Sequence, residues 1–232
     1  MEIYEDSVVG KVTLSHSAKA RKIGLKVRPD GEVVLVVPRG ISVDRAVDFL
    51  KSKYDWVLSH TVNRSKIIYD ETTNFETLTF KLFVRRGDDE NCRFCLERGE
   101  LYVYYPHSCD VRSDDVQSLI KLGIEKALKS EAKRILPTRL EMLSKMFGFK
   151  YESVKIQGSH TRWGSCSGRK NINLSCYLLM LPIQLVDYVL LHELCHTVEM
   201  NHSDKFWKLM DNVTDGRAKS LRAELKNYSA TL

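Results

Sequence analysis

The sequence predicts an α+β protein, with a β-rich part over residues 1–110 followed by a helical part over residues 111–232 that carries a small sheet. Three observations predict it. Apolar residues alternate at period two through most of the first hundred positions, the period becomes helical from Ser113, and short strand-like runs at 154–156 and 171–177 interrupt the helices. At 232 residues the chain is long enough for one large domain or two small ones, each able to bury a core without disulfides.

Taken in order, Ile23, Leu25 and Val27 alternate with polar residues, Pro29, Asp30 and Gly31 supply a turn, and Val33, Leu35 and Val37 resume the alternation, which predicts a β-hairpin. Ser42 can cap a helix whose stripe runs through Ala46, Phe49, Leu50, Trp56 and Val57. Further strands are expected at Phe80, Leu82 and Val84, at Phe94 and Leu96, and at Leu101, Val103 and Tyr105, with polar turns at 87–91 and 98–100. From Ser113 a buried stripe of Val116, Leu119, Ile120, Ile124, Leu128, Ile135 and Leu136 follows the acidic first turn of Asp114 and Asp115. Pro137 is expected to kink or split that helix. Leu140, Leu143 and Phe147 carry the stripe to Gly148, placed as a left-handed C′ residue. Pro182 then opens a long helix, where a missing N–H costs nothing. No internal repeat is visible.

The composition is that of an ordinary soluble protein. A net charge of +6 permits contact with nucleic acid without requiring it. The clearest basic run, Lys19, Arg21, Lys22, Lys26 and Arg28, interleaves with Ile23, Leu25 and Val27, so it reads first as the wet face of a strand and second as a weak nucleic-acid contact. No stretch approaches the roughly 18 apolar residues of a membrane span, and the start lacks a signal-peptide layout, so a cytoplasmic protein with no membrane partner is expected. Six cysteines are irregularly placed, and reduced thiols are the default. Cys92 and Cys95 form a CxxC pair, but Cys109, Cys166, Cys176 and Cys195 supply no second pair for a zinc ribbon, which favours ordinary strand cysteines.

The chemistry is concentrated in the helix after Pro182, which contains His192, Glu193, Leu194, Cys195 and His196, an HExxH pattern. Histidines four apart share one helical face, so both imidazoles can reach one ion. Glu193 sits beside that face, where its carboxylate can reach a water at the ion and act as general base. A catalytic zinc needs a third protein ligand, and His202 follows six residues after His196, the metzincin spacing. Where that pattern has a glycine this chain has Glu199, so Asn201 is expected to turn the chain and the helix to run a further half-turn. Glu224 and Glu199 are the rival third ligands. Ser203 and Asp204 can cap a following helix anchored by Phe206, Trp207 and Met210.

Arg162, Trp163, Gly164, Ser165 and Cys166, then Pro182, Asp187, Tyr188 and Val189, the HELCH run, and Asn201, His202, Ser203, Phe206 and Trp207 together resemble the YgjP-like metallopeptidase family. The resemblance extends upstream to Ser17, Ala18, Arg21, Ile23, Asp30, Gly31, Pro38 and Gly40, and so covers nearly the whole chain. It implies a zincin related to the SprT-like proteases that act near DNA, with the family's three histidines at His192, His196 and His202. Members commonly carry asparagine where Ser175 stands.

The resulting expectation is a Zn2+-dependent peptidase acting on peptide or protein substrates, with Glu193 as general base and the tetrahedral oxyanion met by His160, Arg162 or Tyr188. Arg162 ranks first as a fixed charge, against a structural salt bridge as its plain alternative. Trp163 and Trp207 are expected in the core, and Cys166 and Cys195 as packing residues. Two rivals stand beside this. One is a non-enzymatic zinc-binding module, which an inert protein that unfolds on chelation favours. The other is a nucleic-acid adaptor using residues 19–28, which salt-dependent binding favours.

Overall fold

A computed structural model of the chain describes residues 2–28, 31–61, 67–230 and 232. The turn residues Pro29 and Asp30 lie outside them. Two compact units are present, Met1–Ile67 and Ile68–Leu232.

In the first unit, β1 (Glu2–Asp6), β2 (Gly10–Ser17), β3 (Gly24–Val27) and β4 (Val33–Pro38) form a sheet of order β1-β2-β4-β3. The expected hairpin is present: β3 pairs antiparallel with β4, Val27 opposite Val33. The strands β1 and β2 were not anticipated, because β1 is short and mostly exposed and β2 carries few apolar residues. They hold together partly through Asp6, whose carboxylate accepts from the Val8 and Val9 N–H groups and from the Tyr54 hydroxyl at 2.7 Å. Lys26 is exposed on β3, and Arg28 pairs with Glu32.

Ser42 caps α1 (Val43–Lys51) by accepting from the Arg45 N–H. The single helix expected here is two. Ser52 closes α1 with its N–H on the Asp48 carbonyl and its hydroxyl on the Phe49 carbonyl, and α2 (Tyr54–Thr61) begins anew. The stripe shifts accordingly, so Leu50 and Val57 are fully buried while Trp56 is exposed. Val12, Leu14, Val33, Leu35, Val37, Ala46, Leu50 and Val57 make this unit's core.

The second unit opens with β5 (Lys81–Gly87), β6 (Arg93–Glu97) and β7 (Glu100–Pro106), at the predicted places, followed by α3 (Asp114–Phe147). Ser113 accepts from the Val116 N–H, and Gly148 takes the left-handed cap at φ 73°. The helix is not split at Pro137. The period change near residue 110 falls inside this unit, because Leu82, Val84, Leu101, Val103 and Tyr105 share one core with Val116, Ile120 and Ile124 of α3. Gln117 ties the preceding segment down. Its amide donates to the Tyr69 and Val111 carbonyls, both at 2.7 Å, and accepts from the Tyr69 N–H.

The two units contain the same arrangement. In each, the first strand runs parallel to the third and the second antiparallel to it: β2 and β3 on β4, β5 and β6 on β7. Each third strand ends on a proline, Pro38 or Pro106, and a serine-capped helix follows.

The remainder of the second unit builds the site. Strands β8 (Ser153–Gln157), β9 (Gly164–Cys166) and β10 (Asn171–Ser175) form a sheet of order β8-β10-β9, with β8 parallel and β9 antiparallel to β10. A 3-10 turn at Cys176–Met180 leads to α4 (Ile183–Cys195), α5 (Asp204–Val213) and α6 (Ala218–Leu225). Ser175 stabilises the turn by accepting from the Tyr177 N–H, while its hydroxyl donates to the Ser159 carbonyl. Asp187 of α4 receives a two-pronged pair from Arg139 of α3, both contacts 2.6 Å. No described helix is long and apolar enough to cross a membrane.

Candidate metal centre

The apolar residues Leu185, Val186, Val189, Leu190 and Leu194 bury α4 and so fix the direction in which its last turn projects. That turn carries His192 and Glu193, and His196 follows as the helix cap. The helix does not run the extra half-turn predicted for it. The Thr197, Val198 and Glu199 N–H groups close back on Leu194 and Cys195 carbonyls, and Asn201 is not among the left-handed residues. The turn comes instead from this tight cap, in which the Glu199 carbonyl meets His196 Nδ1 at 3.0 Å. Ser203 then stands at the N-cap of α5 without a side-chain hydrogen bond.

The consequence is convergence. His192 Nε2 lies 3.2 Å from His196 Nε2 and 3.1 Å from His202 Nε2, and the three ligand atoms all fall within 4.8 Å of one another. Among the described residues this is the group of three or more potential metal ligands that is brought together. Glu199 contributes its backbone, and Glu224 accepts from Gln184 at 3.4 Å. Beneath the triad lies Phe206, fully buried, with its ring centroid 4.9, 4.6 and 4.8 Å from those of His192, His196 and His202. Trp207 stacks on His202 at 5.8 Å.

The donor set fits a tetrahedral cation. Nitrogens about 2 Å from such an ion stand roughly 3.3 Å apart, close to the spacing found. The Glu199 carbonyl holds the proton on His196 Nδ1, which leaves the Nε2 lone pair facing the centre. Burial, then the neighbouring imidazoles and Arg222, lower the His192 pKa to about 3, so the ring is neutral at pH 7, the form that ligates. His192 Nδ1 itself is buried without a partner among the described residues.

Glu193 is 5% exposed, and its Oε2 has no hydrogen-bond partner among the described residues. Burial alone pushes its pKa up to about 7. The carboxyl group is placed by Gly164 of β9: a Cβ there would come within 2.7 Å of Glu193 Oε1 and 2.8 Å of its Cγ. Only glycine at 164 leaves the Glu193 side chain in this position. Trp163, Gly164, Tyr188, Val189, His192, Glu193, Arg222 and Leu225 line a cleft of about 210 Å³ beside the triad.

A family model describing the YgjP-like metallopeptidase domain matches residues 21–228. The chain belongs to the YgjP-like metallopeptidase family. A YgjP-like domain is a metallopeptidase, so a metal ion and a peptide or protein substrate come with the family. No curated protein matches this YgjP-like chain. Among solved structures it is similar to the metallopeptidase zymogen abylysin of Pyrococcus abyssi, at 24% identity over 40% of this chain and 93% of that one, with a TM-score of 0.37.

The other residues nominated from the YgjP-like sequence fall out unevenly. Both ring nitrogens of His160 are engaged, Nδ1 with the Ala230 carbonyl at 2.7 Å and Nε2 with the Tyr177 hydroxyl at 3.1 Å. Arg162 is exposed, makes no ion pair among the described residues, and does not line the cleft, although its neighbours Trp163 and Gly164 do. Tyr188 is buried in the cleft wall, its ring 6.1 Å from that of His192. Trp163 and Trp207 pack against the core and also border the site. All six cysteines are free, and burial raises the Cys166 and Cys195 thiols to about 11 and 12, which makes them packing groups. Two participants were missed. Phe206 was legible only as a helix anchor, and Arg222 carried no signal, because a lone arginine on a short helix looks like solvated surface.

Proposed function

We propose that this chain is a zinc-dependent peptidase, with His192, His196 and His202 as the metal ligands and Glu193 as the general base. The observation that carries the reading is the convergence of three imidazole nitrogens beside a buried carboxylate whose Oε2 has no partner among the described residues. A carboxyl group in that setting is costly, and a divalent ion next to it supplies the missing charge. Zinc, when bound, polarises the scissile carbonyl and acidifies a water.

The protein's own residues do the rest. Glu193 takes the proton of the attacking water and later hands it to the leaving amine, a task suited by a pKa near the working pH. Phe206 and the Glu199 carbonyl hold the imidazoles in register, and Gly164 lets the carboxylate lie against the edge strand β9. The apolar cleft walls of Trp163, Tyr188, Val189 and Leu225 exclude water from that carboxylate.

The test is zinc content together with cleavage of an unfolded protein such as casein by wild type, Glu193→Gln and His196→Ala. One zinc per chain, cleavage by wild type, loss of cleavage with zinc retained in Glu193→Gln, and loss of both in His196→Ala are expected. Equal cleavage by wild type and Glu193→Gln would remove Glu193 as the base.

A further inference from the structure

We propose that Arg222 is the anion-binding residue of the cleft, placed to pair with a negatively charged oxygen of the peptide substrate. The inference rests on the peptidase reading of the centre and names a part that reading lacks. Hydrolysis of an amide builds negative charge on the carbonyl oxygen, and a second positive group beside the metal lowers that barrier. Of the three residues nominated for it from sequence, His160 has both nitrogens committed, Arg162 does not line the cleft, and Tyr188 lines it but brings no positive charge.

Arg222 does line it, together with His192 and Glu193. Helix α6 is anchored by buried Ala218 and Leu221, which turns position 222 to the exposed side above the metal centre's aromatic support. Its guanidinium lies 4.9 Å over the Trp207 ring, and Trp207 in turn stacks on His202. A guanidinium over an indole face is attracted to the ring, and its N–H groups remain able to meet a planar, two-oxygen partner. No carboxylate pairs with it among the described residues, whereas Arg134 and Arg139 are both matched, to Glu131 and Asp187. The other cleft walls are largely apolar, which leaves Arg222 as the fixed cation among the residues that line the cleft.

The anionic oxygen has two sources, the oxyanion developing at the scissile carbonyl or a carboxylate already on the substrate, and one experiment separates them. Zinc-loaded wild type, Arg222→Ala, Arg222→Gln and Arg222→Lys are titrated calorimetrically with a phosphinic peptide, in an amidated form and in a free-acid form. Zinc content is measured alongside, and KM and kcat are read on the matching substrates. Binding of the amidated form weakened roughly ten- to hundredfold in Arg222→Ala and Arg222→Gln, partly restored in Arg222→Lys, with zinc unchanged and kcat falling, assigns the oxyanion. Weakening confined to the free-acid form, with KM rising, assigns a substrate carboxylate. Wild-type affinity for both forms in all three variants overturns the proposal while the peptidase reading stands. A wild type that holds no zinc and cleaves nothing defeats the underlying reading instead.

Discussion

Glu193 shows how far a residue's setting departs from what its identity suggests. Its place in HExxH was legible, but the room its carboxyl group occupies is left by Gly164, 29 positions earlier in the chain on a three-residue strand that alternation cannot detect. Gly164→Ala forces the carboxyl group out of its place, since no room remains for a methyl group 2.7 Å from Oε1. We expect cleavage to fall about a hundredfold, with zinc content unchanged, as judged by kcat/KM and metal analysis. The raised pKa has a second consequence in the metal-free protein. A carboxyl group with a pKa of about 7 folded and near 4.5 unfolded binds more protons in the native state, so it removes stability as pH rises between those values. His192 works oppositely, removing stability as pH falls from about 6.5 towards 3. Glu193→Gln isolates the first effect. Its stability advantage over wild type, measured by denaturant unfolding in chelator, should widen from pH 5 to pH 8 by a few kcal/mol. An advantage that does not change with pH would show that the carboxyl group is not desolvated.

At the scale of elements, what the sequence made readable was what repeats. The three strands of the β5–β7 sheet and the stripe of α3 as far as Leu143 followed their periods, with Phe147 exposed in the last turn, and Ser42, Ser113 and Gly148 marked helix ends where expected. Termini decided by hydrogen bonds were not readable. The break at Ser52 and the early end of α4 depend on which carbonyl a particular N–H finds, and no pattern of apolar residues encodes that. The common arrangement of the two strand triplets was also hidden. It is a likeness of topology, carried by VVLVVP in one unit and ELYVYYP in the other, with helices of 9 and 34 residues after them. The tie between α3 and α4 gives a prediction at this scale. Arg139 and Asp187 are part-buried and doubly bonded, so Asp187→Ala leaves a guanidinium without its acceptor. We expect a cost of about 1–2 kcal/mol, seen as a melting temperature lower by roughly 2–8 °C. An unchanged melting temperature would show that the pair contributes nothing to holding α4.

Across the whole molecule, every group of the candidate centre comes from the second unit. β9 supplies the glycine, α4 and its cap two histidines and the acid, the turn after it His202, α5 the aromatic support, and α6 the cation. The three imidazoles were readable from spacing alone, because a helix fixes two of them and only the third depends on a turn. Their convergence is the claim on which the mechanism depends, and zinc K-edge X-ray absorption of the zinc-loaded protein tests it most directly. The account predicts three nitrogen neighbours at about 2.0–2.1 Å with one oxygen and no sulfur. A sulfur shell near 2.3 Å, or a first shell that persists unchanged in His202→Ala, would contradict it.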